Sequence, residues 1–246
     1  MISILAIIKY LLELRYFFSI EYIQIKRTSF PLVNPNTLAG FLILCIPFVL
    51  DRKNLYPLLF IILITILLTK SFGASISLFF GLVMYLYLKE KKSLREIIKI
   101  TLMISIIIIY IFYIRQKTYA EMSLFLSFKR RCDYWKQTFN LIKMHPFIGW
   151  GLANFKLTST LYSHNLLLQL LAEVGLLGTI SFIWLIILSF KYTFLNIKYS
   201  LDKILYLQIF IANTVFLIHN LLDFTFFLPE VSFFWWLFLG MGMYNG

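Results

Sequence analysis

Three groups of side chains in this sequence could meet and do chemistry. Lys129, Arg130 and Arg131 are a run of fixed cations, His164 and Asn165 follow a glycine-containing turn, and His219 and Asp223 lie four residues apart further on. Arginine stays charged at any ordinary pH and can hold a phosphate through two parallel hydrogen bonds. Arg131, with Arg130 or Lys129 in support, therefore suits an anionic ligand. Histidine titrates near ~6.5 when unperturbed, so His164 can accept a proton close to neutrality. Trp135 lies four residues beyond Arg131 and shares its face if that segment is helical, offering a ring for stacking or for anchoring at an interface. The acids nearby, Glu121 and Asp133, are too few for a dedicated divalent-metal cage. Neither a metal nor a cofactor is expected.

Each group also has a plainer reading. The Lys129–Arg131 run could anchor lipid headgroups, and Ser163 could N-cap the next helix. His145, just before Pro146, reads as a loop residue. Glu173 sits in an apolar run, where an ionisable group is costly, so it is either paired internally or close to the interface. His219 and Asp223, read as one helical stretch, form a local hydrogen-bonded pair.

The elements that must position these residues belong to a membrane protein. Of 246 residues 61% are hydrophobic, 19% aromatic and 14% charged, whereas a soluble domain carries about 45–50% apolar and about 25% charged residues. The apolar residues come in blocks: 37–50, 55–69, 73–88, 97–114, 166–190, 204–222 and 231–244. Several fall short of the ~20 residues that cross a bilayer unaided, and flanking aromatic residues extend them. The reading is seven spans, with an eighth in the first block, 1–20, which Lys9, Glu13 and Arg15 interrupt. Cys45 and Cys132 are too differently placed to pair. The whole chain, 1–246, reads as a single all-α membrane domain, a polytopic helical bundle with one long external loop at 115–165.

Short loops set the orientation. Arg52 and Lys53, then Lys89, Lys91, Lys92 and Arg95, then Lys191, Lys198 and Lys203 fall on one side by span counting, and the positive-inside rule makes that side the cytoplasm. The net charge of +12 is thus assigned to orientation and to anionic lipid, not to nucleic acid. The external loop nevertheless holds Arg115, Lys117, Lys129, Arg130, Arg131, Lys136, Lys143 and Lys156, against the bias of that rule. The cytoplasmic loops are too short to fold a nucleotide-binding domain. The sequence also has neither a phosphate-cradling Gly-rich Lys-Ser/Thr loop nor an Asp-x-Asp pair, so chemistry is expected on the outer face.

The order of motifs is similar to that of the O-antigen ligase family of membrane glycosyltransferases, which includes O-antigen polymerases. The residues that carry the resemblance are Arg131-x-x-x-Trp135, Pro146-x-x-Gly149-x-Gly151-x-x-Asn154-Phe155, His164-Asn165 and Glu173-x-Gly175-x-x-Gly178. Asn34-Pro35-Asn36 and Thr69-x-Ser71-x-Gly73 upstream, and His219 with Asp223 downstream, extend it. The resemblance implies a GT-C-like bundle in the bacterial inner membrane that moves a glycan from undecaprenyl diphosphate to lipid A-core, or to a growing glycan, at the periplasmic face. It implies His164 as the catalytic base. Arg131, Arg130, Lys70 and Trp135 are implied at the donor, with Asn165, Glu173, His219 and Asp223 in support. The reaction is read as inverting and metal-independent, because fixed cations can stabilise a departing diphosphate.

Two departures stand out. Phe72 occupies the position after Ser71 where the family usually has arginine, and Lys70 is a poorer substitute for a bidentate clamp. The chain also resembles only the C-terminal two-thirds of a longer membrane domain, as a compact variant or an N-terminally shortened reading frame. The alternatives are an O-antigen or exopolysaccharide polymerase, and a non-enzymatic transporter of lipid-linked sugar. The transporter predicts internal repeats and paired broken helices, neither of which the sequence shows.

Overall fold

The computed structural model describes residues 1–16, 26–93, 95–99, 102, 124–158 and 160–244. Most of the expected 97–114 span therefore lies outside the described residues, as do Arg115, Lys117 and Glu121. Among the described residues all regular structure is helical. The longer helices are α1 (Ile2–Tyr16), α2 (Pro35–Leu50), α3 (Tyr56–Thr69), α4 (Phe72–Leu88), α5 (Leu124–Met144), α6 (Leu166–Tyr199), α7 (Lys203–Asn220) and α8 (Pro229–Met243).

Local chemistry explains several of the helix ends. Asn34 caps α2 by accepting from the Asn36 N–H, and Pro35 fits the first turn, where its missing N–H is not needed. Lys70 ends α3 in the left-handed conformation, and Ser71 at once caps α4 by accepting from the Ala74 N–H. The Asn34-Pro35-Asn36 and Thr69-x-Ser71-x-Gly73 signatures are thus a helix start and a tight α3–α4 turn. The segment expected as an external loop holds a 21-residue helix, α5, whose Lys129, Arg130, Asp133, Lys136, Asn140 and Lys143 are exposed.

At the centre is α7, which packs on α2, α4, α6 and α8. One core joins α2, α3, α4 and α7 through Leu38, Ile43, Ile62, Ile211 and Val215, and another joins α2, α7 and α8 around Leu44, Phe216 and Trp235. Small residues permit the close crossings: a Cβ at Gly81 would lie 2.5 Å from Val215 Cγ1, as expected where helices associate by packing rather than by escape from water. Several buried hydroxyls are satisfied within their own helices, such as Ser77 to the Gly73 carbonyl and Thr193 to that of Ser189, while Ser189 reaches across to the Leu239 carbonyl of α8. The outer surface is apolar, with Leu177, Ile180, Trp184 and Ile187 exposed along α6. Among the described residues α6 alone is long and apolar enough to cross a membrane, while α2, α3 and α4 are shorter apolar helices.

The bundle has two unlike ends. At one, Lys89 after α4 pairs with Asp51 after α2, which joins two of the basic loops, and α6 ends near the C-terminal residues of α8. At the other end the α3–α4 turn, the start of α6 and the end of α7 converge, bringing His219 against Gly73 and Asn165 against Leu221.

Candidate active site

His164 sits in a turn fastened on both sides. The Ser163 N–H donates to Gln169 Oε1 at 2.7 Å, and the Ser163 hydroxyl donates to the Asn165 carbonyl at 2.8 Å. Asn165, not Ser163, is the N-cap of α6: its Oδ1 accepts from the Leu168 N–H, and its Nδ2 reaches the Leu221 carbonyl at the end of α7. The helix begins at Leu166, which leaves Ser163 too early to cap it. Between them His164 takes φ 54°, a left-handed conformation that costs a residue with a Cβ about 1–3 kcal/mol. The strain holds the imidazole between Tyr134, stacked at 5.7 Å between ring centroids, and the edge of Phe224, at 4.7 Å.

Three ionisable residues converge there. Asp223 is fully buried just past the end of α7, with one carboxylate oxygen 3.9 Å from His164 Nδ1 and the other 3.7 Å from an Arg131 guanidinium nitrogen. Both separations exceed a hydrogen bond, so the three groups lie close without being locked together. Asp223 Oδ1 accepts from the Phe224 N–H, whereas Oδ2 is buried without a hydrogen bond. Arg131 Nε, His164 Nδ1 and both ring nitrogens of His219 are also buried without one, although the backbone of Asn36 and Gly73 lies close to His219. Buried polar groups are almost always satisfied, so this concentration marks a place shaped for something other than internal stability. Burial lowers the His164 pKa below its ordinary value; the Asp223 carboxylate pulls it up and Arg131 pushes it down. His164 is therefore neutral at pH 7 and free to take a proton.

His219 is fully buried, with Gly40 of α2 and Gly73 of α4 so near that a Cβ on either would lie within 3.2 Å of its ring. The expected hydrogen-bonded pair with Asp223 is not made. The helix stops at Asn220, so Asp223 is not one turn above His219, and its two oxygens face Arg131 and His164 instead.

The other expected residues lie further out. Arg130 and Lys129 are exposed on α5. Trp135 shares the helix with Arg131 but packs edge-on against Phe128, with its indole nitrogen buried and unpaired. Lys70 is at the α3–α4 turn. Glu173 is nearly buried and accepts from Gln169 Nε2 at 2.8 Å, so it orients the amide that holds the His164 turn. Among the described residues no three His, Cys, Asp or Glu side chains are grouped as metal ligands.

The glycine motifs form one joint. Gly175 has φ 66° and ψ −169° and breaks α6, freeing backbone groups on both sides. The turn at 145–151 takes them up: the Trp150 and Gly151 N–H groups donate to the Ala172 and Glu173 carbonyls, and the Leu176 N–H donates to that of Pro146. A Cβ at Gly149 would lie 2.5 Å from the Glu173 carbonyl, and one at Gly175 would overlap that of Phe147. Gly149 and Gly151 have φ of 70° and 89°, the turn that their spacing implied.

Sequence reasoning missed four neighbours. Tyr134 and Phe224 clamp His164, and Gln169 is an amide buried in an apolar helix, a signal that polarity alone could have raised. Arg27 stands over the α3–α4 turn, its Nε donating to the Thr69 carbonyl at 2.7 Å and its Nη2 to Asn36 Oδ1 at 2.6 Å. No local pattern announces it.

A protein-family model described as O-antigen ligase matches residues 57–183, just over half of the chain. The match includes Lys70, Arg131, His164, Asn165 and Glu173 and stops before His219 and Asp223. No curated protein and no solved structure matches.

Proposed function

We propose, from the premise that the chain belongs to the O-antigen ligase family of membrane proteins, that it transfers a glycan from undecaprenyl diphosphate to an acceptor hydroxyl. The observation that carries this reading is the buried meeting of Arg131, Asp223 and His164 at one end of an apolar bundle. Arg131 is nearly buried and has donors to spare for the diphosphate, whose negative charge grows as its bond to the sugar breaks. His164 turns Nδ1 towards Asp223, which leaves Nε2 as the atom able to take the acceptor proton. The acceptor oxygen then bonds to the anomeric carbon as the diphosphate leaves with the bonding electrons, and a single displacement of this kind inverts the configuration. No divalent metal is required when guanidinium groups balance the leaving charge. His219 backs Asp223, and Glu173 acts through Gln169 on the His164 turn. Trp135 stiffens α5 beside Arg131, while Arg130, Lys129 and Lys70 add positive potential around the donor.

We read the apolar helices as seven or eight spans of a single domain in the bacterial inner membrane, with 115–165 outside. The grouping of basic loops at the end away from His164 supports a periplasmic site. The acceptor in this reading is lipid A-core. A polymerase would use the same chemistry on a second lipid-linked glycan. The transporter reading gains little from the break at Gly175, because the Pro146–Gly151 turn fills it with backbone and no coordinating side chains gather there.

The test is deletion of the gene and complementation with His164→Ala and Arg131→Ala. Neither variant is expected to restore long-chain surface glycan, and full restoration by both would sink the site assignment. Polymer retained on the carrier lipid marks a ligase, and single repeats on the acceptor mark a polymerase.

A further inference from the structure

The turn that follows α5 carries an apolar tip. Phe147, Ile148 and Leu152 are 63%, 78% and 70% exposed, and Met144 beside them at the end of α5 is exposed as well. Turns that face water ordinarily use Gly, Pro, Asn, Asp and Ser at such positions. A single exposed apolar residue is ordinary, whereas a contiguous group marks an interaction surface. The tip is also firmly held. The Trp150 indole N–H donates to the Leu141 carbonyl of α5 at 2.9 Å. The Leu176 and Leu177 N–H groups donate to the Pro146 and Phe147 carbonyls at 2.9 and 3.3 Å. These bonds keep Phe147 and Ile148 beside the point where Gly175 breaks α6.

That point is where the straight, apolar part of α6 begins. From Leu176 to Tyr199 it runs roughly 36 Å at 1.5 Å per residue, enough to cross the ~30 Å hydrocarbon core of a bilayer. Leu177, Ile180, Trp184 and Ile187 form its exposed apolar stripe. Because Leu177 is bonded through its backbone to Phe147, the tip continues that stripe at the end nearer the candidate site. Cations adjoin the tip. Lys129, Lys136 and Lys143 are exposed on α5 and recur every seven residues, about two helical turns, so they share one face. The Lys143 ammonium lies 4.7 Å from the centre of the Phe139 ring, which is itself exposed. An apolar tip that prolongs a lipid-facing stripe, with lysines beside it, complements the hydrocarbon edge and the anionic headgroups of a bilayer.

We propose that the Pro146–Leu152 turn is a bilayer anchor: Phe147, Ile148 and Leu152 enter the outer edge of the hydrocarbon core, and Lys136 and Lys143 hold anionic headgroups. The segment read as external thus returns to the membrane partway along its length. Arg131 lies on the helix that the Trp150–Leu141 bond joins to this turn, so the anchor sets the depth of the candidate site against the bilayer. This anchor requires α6 to cross the membrane and is independent of glycan transfer.

The test measures the depth of spin labels in purified full-length protein carrying Cys45→Ala and Cys132→Ser. The protein is reconstituted in phosphatidylcholine vesicles with or without phosphatidylglycerol. Labels go on Ile148→Cys, on Leu177→Cys as the lipid-facing reference, and on Thr158→Cys, an exposed position of the loop, as the water-facing one. Collision with oxygen, which concentrates in lipid, is compared with collision with a water-soluble nickel chelate. The label at 148 is expected to match the one at 177, with nickel collision several-fold lower than at 158. A water-like value at 148 overturns the proposal. So does protection that vanishes when the protein is diluted in lipid, which would assign the tip to a second copy of the chain. A water-like value at 177 would instead overturn the reading of α6 as a span. Phosphatidylglycerol should seat the label at 148 deeper, and Lys136→Gln with Lys143→Gln should remove that dependence. Depth indifferent to anionic lipid in the parent, or dependence kept in the variant, overturns the role of the two lysines. If the cysteine-free background does not fold, Phe147→benzoylphenylalanine in the native chain asks the same question by photo-crosslinking. Crosslinks to lipid are expected; crosslinks to a second copy, or none to lipid, overturn the anchor.

Discussion

The two ends of the bundle treat polar groups in opposite ways. At the end with the basic loops, Lys89 pairs with Asp51 and also donates to the Tyr85 hydroxyl. There the Asn196 side chain reaches the Gly242 and Tyr244 carbonyls, and the Tyr206 hydroxyl donates to that of Tyr244. At the His164 end, Arg131, Asp223 and His164 stop short of hydrogen-bonding distance, and several of their atoms have no partner. Both ends are built from apolar helices on the same chain, so composition does not separate them. The basic-loop end uses its polar groups to close helix termini; the His164 end does so with Ser71 and Asn165 as well, but leaves Arg131, His164 and Asp223 without hydrogen bonds to one another.

The largest expected effect tests that division at its centre. His164→Ala should lower the rate of glycan transfer by roughly 10²–10⁴-fold, the usual worth of a positioned base. Its melting temperature should stay near that of the parent, because the imidazole makes no hydrogen bond through its buried nitrogen. The check is transfer with purified donor and acceptor, alongside a tryptophan-fluorescence melt. A large loss of stability with little loss of rate would reverse the roles of the two ends.

Next in size is the joint between the two glycine turns. Gly175→Ala puts a Cβ against the Phe147 carbonyl and forces alanine into a conformation reserved for glycine. The expected cost is at least about 3 kcal/mol, with the Pro146–Gly151 turn released from α6. Limited proteolysis should then cut near 147–152 well below the melting temperature. An intact turn in this variant would show that the joint is not what fixes the start of α6.

The sequence was legible where the signal was local. Asn34 with Pro35 and the Gly149–Gly151 turn announce themselves within a few residues, and the structure uses both in that way, whereas Ser71, read with Thr69 as closing a span, instead opens the next helix. Polarity misled the α6 boundary: the apolar block ends at Phe190, but the helix runs to Tyr199, since Lys191, Leu195 and Lys198 are sound helix formers. Spacing misled the reading of His219 and Asp223, because a four-residue interval means one turn only if the helix continues. Arg131, His164 and Asp223 could be picked out as residue types. That a single carboxylate lies between the other two is a contact across three segments, which no window of sequence contains. The same holds for Arg27, forty-two residues from the carbonyl it holds.

The far end should respond in the converse manner, and more mildly. Asn196→Ala removes the donor that serves the Gly242 and Tyr244 carbonyls, and should cost about 1–2 kcal/mol by leaving buried acceptors unpaired. Transfer per folded molecule should not change. A rate defect that persists after correction for the folded fraction would mean that the two ends are coupled.

The smallest effect is the most specific. Burial holds His164 below its ordinary pKa, so the neutral, proton-accepting form persists below pH 6.5, and the acid limb of the rate profile should lie below that value. Stability linked to this residue has the same sign: it is complete above 6.5, where the imidazole is neutral folded or unfolded, and is lost as pH falls through the lowered folded pKa. The charges on either side act in opposite directions. Asp223→Asn removes the group that raises the His164 pKa, so the limb of the residual rate should move to lower pH. Arg131→Gln removes a group that lowers it, so the limb should move up. A shift in one direction for both variants would show that they act on the fold of the turn rather than on the charge of the imidazole. Opposite shifts require all three groups to share one electrostatic site, and no pair at the basic-loop end flanks a histidine in this way among the described residues.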